Sequence, residues 1–90
     1  MAALRFSLGQ TVITRGALAV LTAEDVQAAV RRHSSCDWGD VCPEDWQLND
    51  AALRDGTRLL SAYRSSGGTR FWVITEADRS ATTVLLPEEY

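Results

Sequence analysis

The residues of this chain best suited to chemistry lie close together, between Cys36 and Leu53. This stretch holds both cysteines, two of the three tryptophans and several carboxylates, and it contains no arginine. Carboxylate oxygens are the ligands that hard cations prefer, and a magnesium ion held by them could cleave a phosphoester. The carboxylates that would serve such a metal-dependent hydrolase are Asp37, Asp40, Asp45 and Asp50.

The same carboxylates also suit structural roles. Their spacing does not match a calcium-binding loop, which needs a D-x-[DN]-x-[DN]-G run closed by a glutamate. Asp37 and Asp40 fit a turn, where aspartates accept backbone hydrogen bonds. Glu44 and Asp45 suit the first turn of a helix, where negative charge is favourable.

A docking surface is the other interpretation of this stretch. Trp38 lies in a turn between acidic residues and is expected to be partly exposed, with burial over a small core as the alternative. Tryptophan is a frequent anchor at protein interfaces, and carboxylates around it would favour a partner with a basic surface. The predicted contact residues are Asp37, Trp38, Asp40, Asp45 and Asp50.

A sulfur and imidazole group overlaps this stretch. His33, Cys36 and Cys42 follow the pattern H-x2-C-x5-C. Zinc needs four ligands, and the paired C-x2-C of zinc sites is missing, so the alternative is a small buried thiol and a histidine that ends a helix. A nucleophilic pair of Cys36 and His33 lacks a marked orienting group and oxyanion site. We therefore predict no metal and no cofactor.

Aromatic residues beside arginines form the third candidate site. Arginine and aromatic side chains on a sheet resemble a platform for single-stranded nucleic acid. Neighbouring residues of a strand face opposite sides, however, so at least one set must face the core, and aromatic side chains dominate small cores. The residues concerned are Tyr63, Phe71 and Trp72, with Arg58, Arg64 and Arg70.

Length and composition limit the classes of protein. Ninety residues fit one domain, spanning 1–90, and 46% hydrophobic with 23% charged residues is ordinary for a globular protein. The net charge of −3 makes nucleic acid an unexpected partner. No apolar run approaches the roughly 18–20 residues that cross a membrane, and no signal peptide is evident at the N-terminus. We expect a cytoplasmic protein with free thiols and no membrane partner.

The pattern of the chain predicts a helical half, about 14–55, and a β-meander, about 57–87. A short strand is expected at 10–13, and a short helix capped by Thr14 follows it. A second helix begins at the capping box of Thr22 and Asp25 and ends near Arg32. A third helix begins at Pro43 and ends at Gly56. Its apolar face is extended by Ala52 and Leu48, and the residues expected along one side are Trp46, Asn49, Asp50 and Leu53.

From Thr57 onward, apolar residues recur with the period of two that is typical of strands. Three strands are expected, at 58–64, 70–75 and 81–86, joined by turns at 65–68 and 76–80. The predicted fold class is α+β, a three- to four-stranded antiparallel meander with two or three helices packed on one face. An exposed sheet edge could mediate self-association, so a homodimer is an alternative to a monomer.

Several segments carry a resemblance to known proteins. They are DWGD at 37–40, the pairs Glu44-Asp45 and Asn49-Asp50, LLSAY at 59–63 and WVITEADRSATTVLLPEEY at 72–90. The chain resembles small bacterial proteins that are often labelled plasmid-related. The resemblance implies a bacterial origin and residence on mobile elements, and it supplies no activity and no catalytic residue. The cysteines Cys36 and Cys42 depart from the pattern.

These observations favour a small acidic protein-interaction module that is not an enzyme. On a mobile element, such a module could act in anti-defence, by covering the basic surface of a host enzyme that handles nucleic acid. The two alternatives are the metal-dependent hydrolase and the single-strand binder.

Overall fold

A computed structural model describes residues 6–90, which form a four-stranded sheet and three helices. The predicted α+β class is confirmed. In chain order, the elements are β1 (Gln10–Ile13), α1 (Arg15–Val20), α2 (Ala23–Ser34), α3 (Pro43–Asp55), β2 (Leu59–Arg64), β3 (Arg70–Thr75) and β4 (Ala81–Leu85). A short 3-10 turn, Pro87–Glu89, follows β4.

The sheet has the order β1-β4-β3-β2 and is mixed. Strands β2, β3 and β4 form the expected antiparallel meander. The prediction that the whole sheet is antiparallel is wrong, because β1 pairs with β4 in parallel. The N–H groups of Gln10 and Thr14 donate to the carbonyls of Ser80 and Val84, each at 3.0 Å, and hold the two ends of the parallel pair.

The helices begin and end where local chemistry places them. The Thr22 hydroxyl accepts from the Asp25 N–H at 3.0 Å, and the Asp25 carboxylate accepts from the Thr22 N–H at 3.3 Å, which completes the predicted capping box. Asp25 also accepts from the Ser66 N–H at 3.1 Å, so this cap joins α2 to the β2–β3 turn. Pro43 opens α3, and Gly56 closes it in the left-handed conformation.

One side of the sheet, here called the helix face, carries the core. Apolar residues of β2, β3 and β4 alternate onto this face and meet residues of α1 and α2. The buried members of this cluster are Ala17, Leu21, Ala29, Tyr63, Phe71, Val73 and Val84. A second cluster, at the end of β2 near α3, contains Trp38, Ala52 and Leu59, with Phe6 and Trp46 packed against it.

A buried chain of hydrogen bonds ties α2 to the helix face. His33 is fully buried, with Nδ1 2.5 Å from the Ser61 hydroxyl and Nε2 2.8 Å from the Thr75 hydroxyl. Thr75 lies 2.7 Å from the Thr82 hydroxyl, which donates to the carbonyl of Leu8 at 2.7 Å. Because a carbonyl only accepts, each donor in the chain is fixed in turn: Thr75 donates to Thr82, and His33 donates from Nε2. Nδ1 therefore accepts from Ser61.

The environment of His33 disfavours its charged form. Burial, with a smaller contribution from the positive charge of Arg79, lowers the pKa of His33 to about 4. The imidazole is therefore neutral near pH 7, and because Nε2 carries its one hydrogen, Nδ1 is the acceptor for Ser61.

The outer edge of β2 is closed by groups from outside the sheet. The side-chain amide of Asn49 donates to the Leu60 carbonyl at 2.7 Å and accepts from the Leu60 N–H at 3.1 Å, as a neighbouring strand would. Further along the edge, the Ala62 N–H donates to the Trp38 carbonyl at 3.0 Å, and the Asp40 N–H donates to the Ala62 carbonyl at 2.7 Å. The backbone groups of this edge are thereby satisfied.

The close approach beside Ala62 requires Gly39. Its φ of 75° lies in the left-handed region, and a Cβ there would overlap the Ala62 carbonyl oxygen and come within 2.7 Å of the Tyr63 ring. Only glycine avoids both penalties.

Arg79 joins the β3–β4 turn to the end of α3. Its guanidinium donates to the carbonyls of Thr57 at 2.7 Å, Glu76 at 3.1 Å and Ala52 at 3.0 Å. Arg79 itself has a φ of 62°, in the left-handed region that is unusual for a residue with a side chain. Cations are favourable at the C-terminal end of a helix, so this contact stabilises the position of α3.

The C-terminal turn closes over the start of α1. The Glu89 carboxylate accepts from the Thr14 hydroxyl at 2.6 Å, from the Gly16 N–H at 3.2 Å and from the Leu86 N–H at 2.9 Å. The hydrogen bond from Thr14, followed by that from Leu86, lowers the pKa of Glu89.

In the part of the chain that the structure describes, no helix combines the length and the apolar character needed to cross a membrane.

Candidate functional site

Trp38 is not an exposed anchor. Its side chain is fully buried, stacks on Phe6 with ring centroids 6.3 Å apart and meets the edge of His33 at 5.5 Å. The indole Nε1 donates to Asp50 at 3.0 Å, which satisfies the only polar atom of the side chain. The expectation that Trp38 is partly exposed is therefore wrong, because the acidic neighbours in the sequence do not set the direction of the indole.

Asp37 is committed to contacts within the chain. Its carboxylate pairs with the Arg32 guanidinium at 2.8 Å and accepts from the Gly39 N–H at 3.2 Å. The hydrogen bond from Arg32, with that from Gly39, lowers the pKa of Asp37. The backbone carbonyl of Asp37 accepts from the Tyr63 hydroxyl at 2.5 Å, so this residue fixes the loop to β2. The turn interpretation of Asp37 is confirmed.

The four carboxylates of the hydrolase hypothesis do not converge. Asp37 faces Arg32, and Asp50 accepts from the indole of Trp38. Across residues 6–90, no group of three or more histidine, cysteine or acidic side chains is placed to hold a metal ion. Among the described residues, Asp37, Asp40, Asp45 and Asp50 therefore do not come together as the ligand set expected for a metal-dependent hydrolase.

His33, Cys36 and Cys42 do not form a zinc site either. Both ring nitrogens of His33 are engaged by hydroxyls in the buried chain. Cys36 is half-buried and Cys42 is exposed. The Asp45 N–H lowers the pKa of the Cys42 thiol, but the Glu44 carboxylate, desolvation and the Asp45 carboxylate together outweigh it, and the pKa is raised on balance. A thiol with a raised pKa is a weak nucleophile at neutral pH.

The aromatic platform for single-stranded nucleic acid does not form. Tyr63 pairs with Phe71 on the helix face, where both are buried. Trp72 pairs with Ala62 and lies on the opposite, outer face, where its ring meets the edge of Tyr90 at 5.6 Å. Since Tyr63 and Trp72 point to opposite faces, they cannot stack successive bases on one surface, so the structure does not form the platform expected from these two residues.

The structure does bring two of the predicted contact residues, Asp40 and Asp45, to one groove. The groove lies between α3 and the outer face of β2 and has two hollows, of about 300 Å³ and about 290 Å³. Asp45 and Leu60 border both hollows, so the hollows lie side by side; we call them together the α3 groove. Its residues are Asp40, Val41, Cys42, Asp45, Leu48, Asn49, Arg58, Leu60, Ala62, Arg70 and Trp72.

The α3 groove combines an apolar floor with an acidic wall. Leu60, Ala62 and Trp72 form the floor, and Asp40 and Asp45 are exposed beside it. Throughout the described part of the chain, the only ion pair is that of Arg32 with Asp37, so neither groove carboxylate is paired with an arginine.

The charge of the wider surface agrees with that of the groove wall. Six of the twelve acidic residues lie between Asp37 and Asp55, against one of the nine arginines. The arginine at one end of the groove, Arg58, is engaged by Tyr90, with its guanidinium over the ring at 5.2 Å and a hydrogen bond to the hydroxyl. The segment that contains α3 is therefore acidic, although Arg58 and Arg70, from outside that segment, also line the groove.

The sequence analysis did not assign Leu48, Arg70 or Trp72 to this groove, although it did single out Leu48 on α3. Leu48 was expected to extend the apolar face of α3, but its side chain is 66% exposed at the rim of the groove. The inner side of α3 is centred on the buried residues Asn49 and Ala52, and Leu48, one turn before Ala52, lies at the margin of that side. Arg70 and Trp72 gave no comparable signal, because only the strand pairing places them beside α3.

Comparison of the chain with protein-family models, with curated proteins and with solved structures finds no match. The resemblance to plasmid-related bacterial proteins therefore stays an expectation, and function is argued from the α3 groove.

Proposed function

We propose that this protein is a non-enzymatic interaction module whose α3 groove binds a basic segment of a partner protein. The observation that carries the proposal is the pair of exposed carboxylates, Asp40 and Asp45, beside an apolar floor that the fold leaves accessible. Of the five contact residues predicted from the sequence, only two remain as candidates for binding a partner. Asp37 and Trp38 support the loop, Asp50 supports Trp38, and Asp40 and Asp45 are left to meet a partner.

The shape and chemistry of the α3 groove suit an arginine or lysine side chain. Such side chains lay their apolar stems along hydrophobic surface and keep the charged end in a polar environment. Leu60, Ala62 and Trp72 would contact the stem, and Asp40 and Asp45 would accept from the charged end. A guanidinium can also stack on an indole, and Trp72 is half-buried on the groove floor.

A host enzyme that handles nucleic acid is the partner class we favour. Such enzymes present basic surfaces to the phosphate backbone, and an acidic module can occupy the same surface. The acidity around α3 and the resemblance to plasmid-related proteins support this version, in which the protein acts as a mobile-element-encoded inhibitor. The interaction would be sensitive to salt, because its charged groups are exposed.

The test is a nuclear magnetic resonance titration with a short arginine-containing peptide. We expect shifts confined to the amides of Leu60 and Ala62 and the indole of Trp72. The double reversal Asp40→Arg with Asp45→Arg should abolish these shifts, since it replaces the acidic wall by a basic one, while circular dichroism stays unchanged.

A matched control keeps the total charge the same. Glu24→Arg with Glu76→Arg changes two exposed carboxylates outside the groove and should leave the titration intact. Shifts that survive the groove reversal, or that disappear equally in both variants, would show that the α3 groove is not the contact surface. Affinity capture from the host with the unmodified protein and with the groove reversal would then identify the partner.

A further inference from the structure

The second edge of the sheet, formed by β1, has an open row of backbone groups. The N–H groups of Gln10 and Thr14 point inward to β4. Successive residues of a strand direct their N–H and C=O groups to opposite sides, so those of Thr11 and Ile13 point outward. No strand or side chain of residues 6–90 pairs with this side, because β1 is the terminal strand in the sheet order.

The two edges of the sheet are treated differently. The edge of β2 is closed by the Asn49 amide and by the backbone of Trp38 and Asp40. The sequence of β1, QTVI, has neither a charged residue nor a proline, so its length of four residues is the one protection of this strand against edge-to-edge pairing. The two residues of β1 that face outward therefore remain accessible to another strand.

We infer that β1 pairs with β1 of a second copy of this chain, antiparallel and around a two-fold axis at Val12. In this register, Thr11 of each copy faces Ile13 of the other, and both residues direct their backbone groups outward. Every outward-facing backbone group of the strand then finds a partner. The product is one continuous sheet with twice the number of strands and no open β1 edge.

Side chains around this edge agree with a second copy as the occupant. Val12 is 40% exposed, and the two-fold axis places it directly opposite Val12 of the second copy in a non-hydrogen-bonded pair, where side chains lie close. The charged residue nearest to β1 on its C-terminal side, Arg15, falls opposite Gly9, so like charges do not meet. The pairing is therefore compatible with self-association in charge as well as in hydrogen bonding.

An apolar hollow adjoins the same edge. It has a volume of about 280 Å³, and Ile13 of β1 forms part of its lining. Leu18 is 68% exposed at its margin, and Val20, on the same helix, is 52% exposed. Since antiparallel edge pairing keeps equivalent faces on one side, both copies of α1 would lie on the helix face beside the axis. No ionisable residue lines the hollow; its lining residues are Ile13, Leu18, Leu21, Thr22, Ala23, Val26 and Gln27.

Light scattering coupled to size-exclusion chromatography, over a range of concentrations, tests the inference. The unmodified chain should change from its single-chain mass of 9.9 kDa to twice that value as concentration rises. Val12→Lys should remain at the single-chain mass throughout, because it places two like charges opposite each other. Leu48→Lys, an exposed apolar residue on α3, is the matched control and should dimerise as the unmodified chain does.

A mixing experiment tests the position of the axis. Val12→Lys and Val12→Glu should each be monomeric alone, and an equimolar mixture should regain the doubled mass, because opposite charges then face each other. A single-chain mass for the unmodified protein at every concentration would overturn the inference. So would a dimer that persists in Val12→Lys, or a mixture that stays monomeric while each variant keeps the circular dichroism of the unmodified chain.

Discussion

The indole Nε1 of Trp38 donates a hydrogen bond to Oδ1 of Asp50, 3.0 Å away. The donor belongs to a fully buried side chain, and the acceptor belongs to an exposed residue of α3. One exposed carboxylate of the acidic stretch thus satisfies a buried side chain, a role that the sequence alone did not indicate. The Asp50 side chain therefore contributes both a negative charge and a hydrogen-bond acceptor, and substitutions can test these two properties independently.

Replacement of Asp50 should distinguish these roles. Asp50→Ala leaves the buried indole N–H without an acceptor and should lower the free energy of unfolding by about 1–3 kcal/mol. Asp50→Asn retains an acceptor oxygen and removes only the charge, so its effect should be much smaller. Urea denaturation of both variants measures the difference, and equal losses would contradict the role assigned to the hydrogen bond.

The buried His33 predicts a fall in stability in mild acid. The unfolded chain binds a proton at the ordinary pKa of 6.5, whereas burial delays protonation of the native imidazole to about 4. The free energy of unfolding should therefore be highest above pH 6.5 and fall as the pH drops toward 4, by on the order of 3 kcal/mol. Denaturation at a series of pH values measures this slope.

His33→Gln is the control for the pH slope. This variant should be less stable at neutral pH but should lose most of the slope between pH 6.5 and pH 4.5. Asp25 and Asp37 contribute little to the slope in that window. Their pKa values are lowered in the folded chain, so the stability that they contribute is lost as the pH falls below the ordinary aspartate pKa of 3.8. A slope that is unchanged in His33→Gln would exclude His33 as its source.

Two left-handed glycines should differ in their tolerance of alanine. Gly39→Ala adds both backbone strain and an overlap with Ala62 and Tyr63, whereas Gly56→Ala adds strain alone, since its Cβ would meet open space. We expect Gly56→Ala to cost about 1–2 kcal/mol and Gly39→Ala clearly more. Thermal unfolding of the two variants compares them directly. Similar losses would mean that the loop at Gly39 shifts away from β2 at little cost.

The Asn49 amide should protect the edge of β2. Asn49→Ala removes both hydrogen bonds to Leu60 and should lower the free energy of unfolding by about 1–3 kcal/mol. The Leu60 amide should also exchange faster with solvent deuterium, because its acceptor is lost. Gln47→Ala, at an exposed position of the same helix, should stay within about 0.5 kcal/mol of the unmodified chain and leave that exchange rate unchanged.

Most elements follow from local patterns in the sequence, and the strand pairing of β1 does not. The capping box of Thr22, the proline at the start of α3 and the glycine turn after β2 are signals between near neighbours, and the structure contains each of them. The parallel pairing of β1 with β4 joins residues about seventy positions apart. A parallel pair needs no turn between its strands, so no short motif announces it.

The candidate site shows the same limit. The exposure of Asp40 and Asp45 agrees with their acidic, loop and helix-start positions. The burial of Trp38 and the use of Asn49 as a substitute strand depend on the contact between α3 and β2, which arises only in the folded chain. Charged neighbours in the sequence therefore correctly indicated that Asp40 and Asp45 are exposed, but they wrongly indicated that the Trp38 side chain is exposed.

The contacts of Arg79 affect how the α3 groove would bind a partner, because they hold α3 in place. Its guanidinium holds the last turn of α3 to the β3–β4 turn through several carbonyl acceptors, and Asn49 fixes the middle of the same helix to β2. The helix that walls the α3 groove is thus anchored at two points before any ligand arrives. Binding there should proceed as rigid-body docking, with little loss of conformational entropy on the side of this protein.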